Sequence, residues 1–158
     1  MTTTTSAMQL TAMPTVQVST LIRRPPAEVF AAFTDPAIST RFWFTKSSGM
    51  LAPGTTVRWE WEMYGAADTV QVEAFEPAER LVFSWSGNLT VEFRFLPREE
   101  GTIVSVTESG FTGTADEAIA YVADSTGGFT TALCGAKALL EHGIELGAVR
   151  DKFPDAWV

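Results

Sequence analysis

Alternation of apolar and charged residues is clearest in the middle of the chain, where it predicts a β-strand. From Val57 to Met63, apolar residues alternate with Arg58, Glu60 and Glu62. Because successive side chains of a strand point to opposite faces, this segment predicts one apolar face and one charged face. Similar alternation recurs between short turns, which is typical of an antiparallel sheet. The predicted strands are 15–22, 57–63, 69–74, 81–85, 89–95 and 104–108.

Two short helices are predicted after the first strand. Pro25-Pro26 ends that strand, and proline is well tolerated in the first turn of a helix. The apolar spacing that follows predicts a helix over 27–34. Asp35-Pro36 then provides an N-cap and a first helical residue, which predicts a second helix from residue 36 to about residue 42.

A long amphipathic helix is predicted near the C-terminus, over 125–146. At ~1.5 Å per residue it would be roughly 33 Å long, enough to cross a sheet of six strands that is about 24 Å wide. Lys137 and Glu141 fall on the opposite, solvent-facing side. The stripe predicted to be buried repeats every three or four positions and comprises Phe129, Ala132, Leu133, Ala136, Leu140 and Ile144.

This order of elements predicts an α+β helix-grip fold. In that fold a curved antiparallel sheet of about six strands is covered by one long C-terminal helix, with two short helices after the first strand. We expect residues 1–14 to form a flexible, Thr-rich N-terminal tail. Residues 15–158 then form a single domain of ordinary size.

Composition and charge exclude several classes of function. The net charge of −8 disfavours nucleic acids and anionic membranes, because both would be repelled. The chain has no apolar run long enough to span a membrane, and its N-terminal residues lead us to expect no secretory signal. Cys134 is the only cysteine, so no internal disulfide is expected and we predict a cytoplasmic protein.

Several segments, in this order, resemble a known family. The chain is similar to the START-like, Bet v 1-type helix-grip (SRPBCC) superfamily and, within it, to homologues of the activator of heat shock protein 90 ATPase. The run 150–155 is similar to the tail of some bacterial members. The matching segments are Arg23-Arg24-Pro25-Pro26-Ala27-Glu28-Val29-Phe30, Phe33-Thr34-Asp35-Pro36, Phe42-Trp43-Phe44, Pro53-Gly54, the run 75–85, Leu139-Leu140-Glu141-His142-Gly143 and the run 150–155.

The resemblance implies a deep apolar cavity between the sheet and the long helix. Members of the superfamily range from lipid and hormone carriers to polyketide cyclases. The co-chaperone activity belongs to longer proteins with an additional N-terminal domain. This chain has no room for such a domain, so we do not expect that activity from it.

The candidate ligand-binding residues are those predicted to face this cavity. Gly128 and Gly135 are small where bulk would be expected, so either another backbone approaches the helix closely there or space is left for a ligand. The predicted ligand-binding residues are Trp43, Phe44, Trp59, Trp61, Met63, Val72, Phe83, Trp85, Phe93, Glu108, Phe129, Ala132, Leu133 and Ala136.

Glu108 is the polar residue of greatest interest, because the alternation places it on the inner face after Val104 and Val106. A carboxyl group there could bind a ligand or exchange a proton with it, whereas near the strand end it could also reach solvent. His142 is the only histidine. We therefore predict no metal site, no cofactor and no catalytic constellation.

Three functions remain open at this point. The first is binding of an apolar or aromatic small molecule, without catalysis. The second is a cyclase-, aromatase- or lyase-like enzyme in which Glu108 or Tyr64 moves a proton. The third is a chaperone-associated interaction domain, which the charged outer sheet face disfavours. A homodimer is an open alternative to a monomer.

Overall fold

The computed structural model describes residues 7–158, which contain one antiparallel sheet of seven strands. In spatial order the strands are β1-β7-β6-β5-β4-β3-β2, so the first and last strands of the chain are neighbours. Their bounds are β1 Val16–Ile22, β2 Lys46–Ser47, β3 Thr56–Trp61, β4 Ala66–Glu76, β5 Arg80–Trp85, β6 Leu89–Arg98 and β7 Gly101–Ser109.

Short helices follow β1, and one long helix follows the sheet, so the predicted α+β helix-grip fold is confirmed. Asp35 caps the second helix as predicted, since its carboxylate accepts a hydrogen bond from the Ala37 N–H at 3.0 Å. The helices are α1 Pro26–Thr34, α2 Pro36–Ser39, α3 Ala115–His142 and α4 Ala148–Asp151, with 3₁₀ turns at Glu62–Tyr64 and Pro154–Ala156. No helix of the described residues is long and apolar enough to cross a membrane.

Two details of the predicted sheet were wrong: the end of the strand over 57–63 and the number of strands. Strand β3 ends at Trp61 and continues as a 3₁₀ turn, so Met63 does not lie on the inner face of the sheet. Strand β2 adds a seventh strand at the edge, pairing with β3 through Lys46 and Ser47. Two residues are too few to show a period in the sequence, which is why this strand was not predicted.

The long helix starts and ends earlier than predicted. It begins at Ala115 because Thr114 and Glu117 form a capping box, in which each side chain accepts a hydrogen bond from the other residue's backbone N–H. It ends at His142, before Gly143, whose φ of 66° favours glycine. Ile144 therefore lies outside the helix and is exposed, so its assignment to the buried stripe was wrong. The predicted second helix also ends early, at Ser39.

Lys137 and Glu141 of α3 were predicted to face solvent. In the structure they instead bond α3 to the end of β1 and to the residue that follows it. The Glu141 carboxylate accepts hydrogen bonds from the Arg23 N–H at 3.1 Å and from Lys137 Nζ at 2.7 Å. Lys137 also donates to the Leu21 carbonyl oxygen at the end of β1. Burial alone would raise the pKa of Glu141, but the hydrogen bonds and charges of Lys137 and Arg23 outweigh it and hold that pKa below its ordinary value.

The core lies between the inner sheet face and α3, and it is rich in aromatic rings. Phe44 and Trp59 stack with their ring centroids 4.2 Å apart, and Phe83 meets Trp59 edge-on at 5.5 Å. Helix α3 contributes Phe129 and Leu133 to the same cluster. This close packing leaves little space beneath the second half of α3.

Of the three glycines of α3, Gly128 and Gly135 are small for different reasons: one has open space beside it and the other a close backbone. A Cβ on Gly135 would lie 3.2 Å from both Cβ and the carbonyl oxygen of Phe42, so the chain approaches closely there. A Cβ on Gly128 would meet nothing within 4 Å. Gly128 therefore lies beside open space, whereas Gly135 is closely packed.

We expect alanine substitutions to separate these two glycines. Gly128→Ala should raise the free energy of unfolding by about 1 kcal/mol, because alanine favours the helix and finds room. Gly135→Ala should give no gain, because contact with the fixed Phe42 backbone costs about as much as the helix propensity returns. Urea denaturation measures both values, and an equal gain in the two variants would contradict this difference in packing.

Candidate functional site

A cavity of about 360 Å³ lies between α3 and the end of the sheet where several strands begin or stop. Strands β3, β5 and β7 stop at this end, and β4 and β6 begin there, so the sheet contributes side chains from several strands. Helix α3 forms the opposite wall, and residues near α4 cover the opening. Seven aromatic residues contribute to the lining, namely Trp43, Trp61, Tyr64, Trp85, Tyr121, Phe129 and Phe153.

The predicted ligand-binding residues divide into two groups in the structure. Those that line the cavity are Trp43, Trp61, Trp85, Glu108 and Phe129. The others do not line it, namely Phe44, Trp59, Met63, Val72, Phe83, Phe93, Ala132, Leu133 and Ala136. All of these except Met63 belong to the packed core, where neighbouring side chains already occupy the space. These nine residues do not line the described cavity, and ligand contact by the first group stays a prediction.

Glu108 is 2% exposed and lies at the inner end of this cavity. Its Oε1 accepts hydrogen bonds from the Tyr121 hydroxyl at 2.8 Å and from Ser125 Oγ at 2.7 Å. Its Oε2 accepts one from Trp85 Nε1 at 2.8 Å. Three neutral donors from two elements therefore fix the carboxylate in one orientation, facing the cavity instead of the solvent.

Tyr121 is held in its protonated form. Burial, the hydrogen bond to Glu108 and the negative charge of Glu108 all raise the pKa of Tyr121 above its ordinary value. The hydrogen bond with Ser125 lowers this pKa, but it is the smallest of the four effects. The phenol therefore acts as a donor to Glu108 at neutral pH. The Tyr121 ring also stacks on Phe111 at 4.5 Å, which fixes its position.

Sequence reasoning missed Tyr121, Asp124 and Ser125, which all line the cavity. With the helix start placed at Ser125, the turns that contain Tyr121 and Asp124 were not considered part of the site, and Ser125 fell at the N-terminal end of the predicted helix. The Thr114-x-x-Glu117 spacing is a recognisable capping box and would have extended the helix far enough to include them. Tyr121, Ser125 and Gly128 then fall on one face by their spacing of four and three residues.

The C-terminal segment covers the cavity and was also missed. Val149, Lys152 and Phe153 line the opening. Tyr64 holds this segment in place: its hydroxyl oxygen lies 2.6 Å from the Val149 carbonyl oxygen and accepts a hydrogen bond from the Phe153 N–H at 3.2 Å. Tyr64 was predicted as an alternative proton-transfer group. In the structure its hydroxyl group is hydrogen-bonded to the backbone of the C-terminal segment that covers the cavity.

We expect Tyr64→Phe to loosen the cover without unfolding the protein. Loss of the hydroxyl should cost about 1 kcal/mol, because this hydrogen-bonded cluster is only partly buried. Amides in residues 148–158 should then exchange with solvent about fivefold faster, while those of β5 and β6 keep their rates. Hydrogen exchange monitored by mass spectrometry measures both. Met63→Leu is the matched control, because the Val158 N–H bonds to the Met63 backbone and not to its side chain; a similar loosening in both variants would contradict the role of Tyr64.

Among residues 7–158, no group of three or more His, Cys, Asp and Glu side chains is placed to hold a metal ion. Cys134 is exposed on α3 and does not line the cavity. The chemistry of the site therefore depends on one buried carboxylate, its three donors and a wall of aromatic rings.

A sheet covered by one long helix, with a cavity between them, defines the helix-grip class. The family described as "Activator of Hsp90 ATPase homolog 1-like protein" matches residues 23–141, well over half of the chain. The chain belongs to this family, as its sequence predicted. A comparison with curated proteins found no match.

Solved structures of similar fold include proteins from several bacteria. A Staphylococcus saprophyticus protein, SSP2350, is 27% identical over 84% of this chain and 96% of its own, with a TM-score of 0.75. DynU16, described as a putative protein in the dynemicin biosynthetic locus, is 25% identical with a TM-score of 0.73; the match covers 83% of this chain but only 48% of DynU16. An Aha1 dimer from Colwellia psychrerythraea is 21% identical over 83% of this chain and 98% of its own, with a TM-score of 0.73, which shows the fold alone.

Proposed function

We propose that this protein binds an apolar or aromatic small molecule in the cavity between the end of the sheet and the first half of α3. The observation that supports this most directly is the open space at Gly128, next to aromatic rings. The volume of about 360 Å³ lies within the range of small-molecule sites, which are mostly apolar with a few fixed polar groups. Glu108 and its donors supply those polar groups.

The expected affinity is moderate. A ligand that buries about 300 Å² of apolar surface gains roughly 7 kcal/mol before the cost of association. That cost is several kcal/mol, so burial alone gives millimolar dissociation constants. Micromolar binding requires the polar groups of the cavity to pair with the ligand as well.

Catalysis is the second candidate, and the position of Glu108 is the observation that favours it. A buried carboxyl group beside a protonated phenol could transfer a proton within a bound substrate. Glu108→Gln would then abolish turnover and leave binding of the substrate measurable. The chaperone-associated alternative rests on the family description, and the homodimer on the dimeric Aha1 relative. A cytoplasmic location is part of the proposal and rests on the single, unpaired Cys134.

Native mass spectrometry of freshly purified protein, followed by fluorescence titration with 2-naphthol, tests the binding function. We expect a co-purifying adduct or, after its removal, saturable quenching of tryptophan fluorescence, because Trp43, Trp61 and Trp85 line the cavity. Trp85→Phe should reduce the quenching amplitude. Absence of both an adduct and saturable quenching, with naphthol and a panel of flat aromatic compounds at millimolar concentration, would refute the proposal.

A further inference from the structure

We propose that the ligand carries a protonated amine, which forms an ion pair with Glu108 inside the cavity. This inference rests on the proposed function and specifies the chemical class of its ligand. It follows from the partners of Glu108, from the free acceptor position on its carboxylate, and from the rings beside it.

Glu108 differs from the other strongly shielded carboxylate of the fold in having no cationic partner. Glu141 is paired with Lys137 and lies against Arg23. Glu108 is bonded only to neutral donors, and no Lys, Arg or His of residues 7–158 forms an ion pair with it. Because a buried carboxylate is strongly stabilised by a cation, a ligand amine would supply what the chain itself does not.

The carboxylate also retains room for one more donor. An ionised carboxylate offers about four acceptor positions, and the three donors occupy two on Oε1 and one on Oε2. The remaining position on Oε2 accepts a ligand N–H. A ligand carboxylate or carbonyl would instead bring one acceptor against another, so this end of the cavity selects for donors.

Aromatic rings adjoin the same carboxylate. Trp85, which donates to Glu108, lies 5.9 Å from Phe129 and 6.0 Å from Trp43 between ring centroids. An ammonium group at Oε2 would have Glu108 as its charge partner, and the apolar body of the ligand would extend along these rings toward Gly128.

The charged residues at the exposed rim of the cavity do not oppose a cationic ligand, because one acidic and one basic residue lie there. Asp124 adds a second acidic group at the exposed rim. Lys152 is the only basic residue in the lining of the described cavity, and it is exposed on the cover, with Nζ 5.3 Å from the Phe153 ring centroid. The net charge of −8 attracts cations to the protein.

Three probes of one shape test the inference: 2-naphthylmethylamine, 2-naphthylmethanol and 2-naphthoate, titrated calorimetrically at pH 7. We expect the amine to bind at least tenfold more tightly than the alcohol, and the carboxylate to bind most weakly. In Glu108→Gln the preference for the amine should disappear while the affinity for the alcohol stays within about twofold. Glu100→Gln, in the exposed turn between β6 and β7 and outside the cavity lining, is the matched control and should retain the preference.

The outcomes separate this inference from the function on which it rests. Equal affinities of amine and alcohol, tighter binding of the carboxylate, or a preference that persists in Glu108→Gln would overturn the amine assignment and leave small-molecule binding standing. Failure of all three probes to bind the wild-type protein, together with absence of a co-purifying adduct and of saturable quenching by the aromatic panel, would overturn both. The comparison of amine with alcohol in the wild-type protein decides the question even where Glu108→Gln does not fold.

Discussion

Trp59→Ala is expected to lower the free energy of unfolding by about 4 kcal/mol, the usual cost of removing a large aromatic side chain from a packed core. Trp59 is 1% exposed and stacks on Phe44, with Trp43 at 5.0 Å and Phe83 at 5.5 Å between ring centroids. Because these rings are held by the surrounding core, they cannot close the gap without moving β3. Urea denaturation followed by circular dichroism measures the loss.

Trp61→Ala is the matched control, because Trp61 belongs to the same strand and side of the sheet but lines the cavity. It is only partly buried, so its removal should cost about 1 kcal/mol and should instead weaken ligand binding. Equal losses of stability in the two variants would show that the division of the aromatic residues into core and cavity wall is wrong.

Periodicity alone predicted most of the fold, because an antiparallel sheet with one buried face shows its register in alternate residues. The same alternation placed Glu108 on the inner face after Val104 and Val106, and its burial confirms that placement. Period two assigns a side chain to a face of the sheet. It does not say which part of that face is covered closely and which part is left open.

That second distinction depends on elements that are distant in the sequence. Gly128 and Gly135 are separated by two helical turns and fall on one side of α3, yet only Gly135 meets the chain at Phe42. Nothing near either glycine in the sequence shows which of them Phe42 approaches. The cover near α4 depends in the same way on Tyr64, a residue far away in the chain. For this reason the sequence could predict an inner face but not the extent of the cavity within it.

Filling the cavity from α3 should abolish ligand binding and leave the fold intact. In Gly128→Phe the new side chain would project from the helical face that contains Tyr121 and Ser125, into space where a Cβ on residue 128 has no neighbour within 4 Å. We expect Gly128→Phe to show no saturable quenching by 2-naphthol in a fluorescence titration, with little change in melting temperature, because the helix gains by losing a glycine. Thr130→Phe, exposed on the same helix, should bind normally. If Gly128→Phe bound the probe with unchanged affinity and a native melting temperature, the ligand could not occupy this cavity, because the phenyl ring and the naphthyl ring would require the same volume.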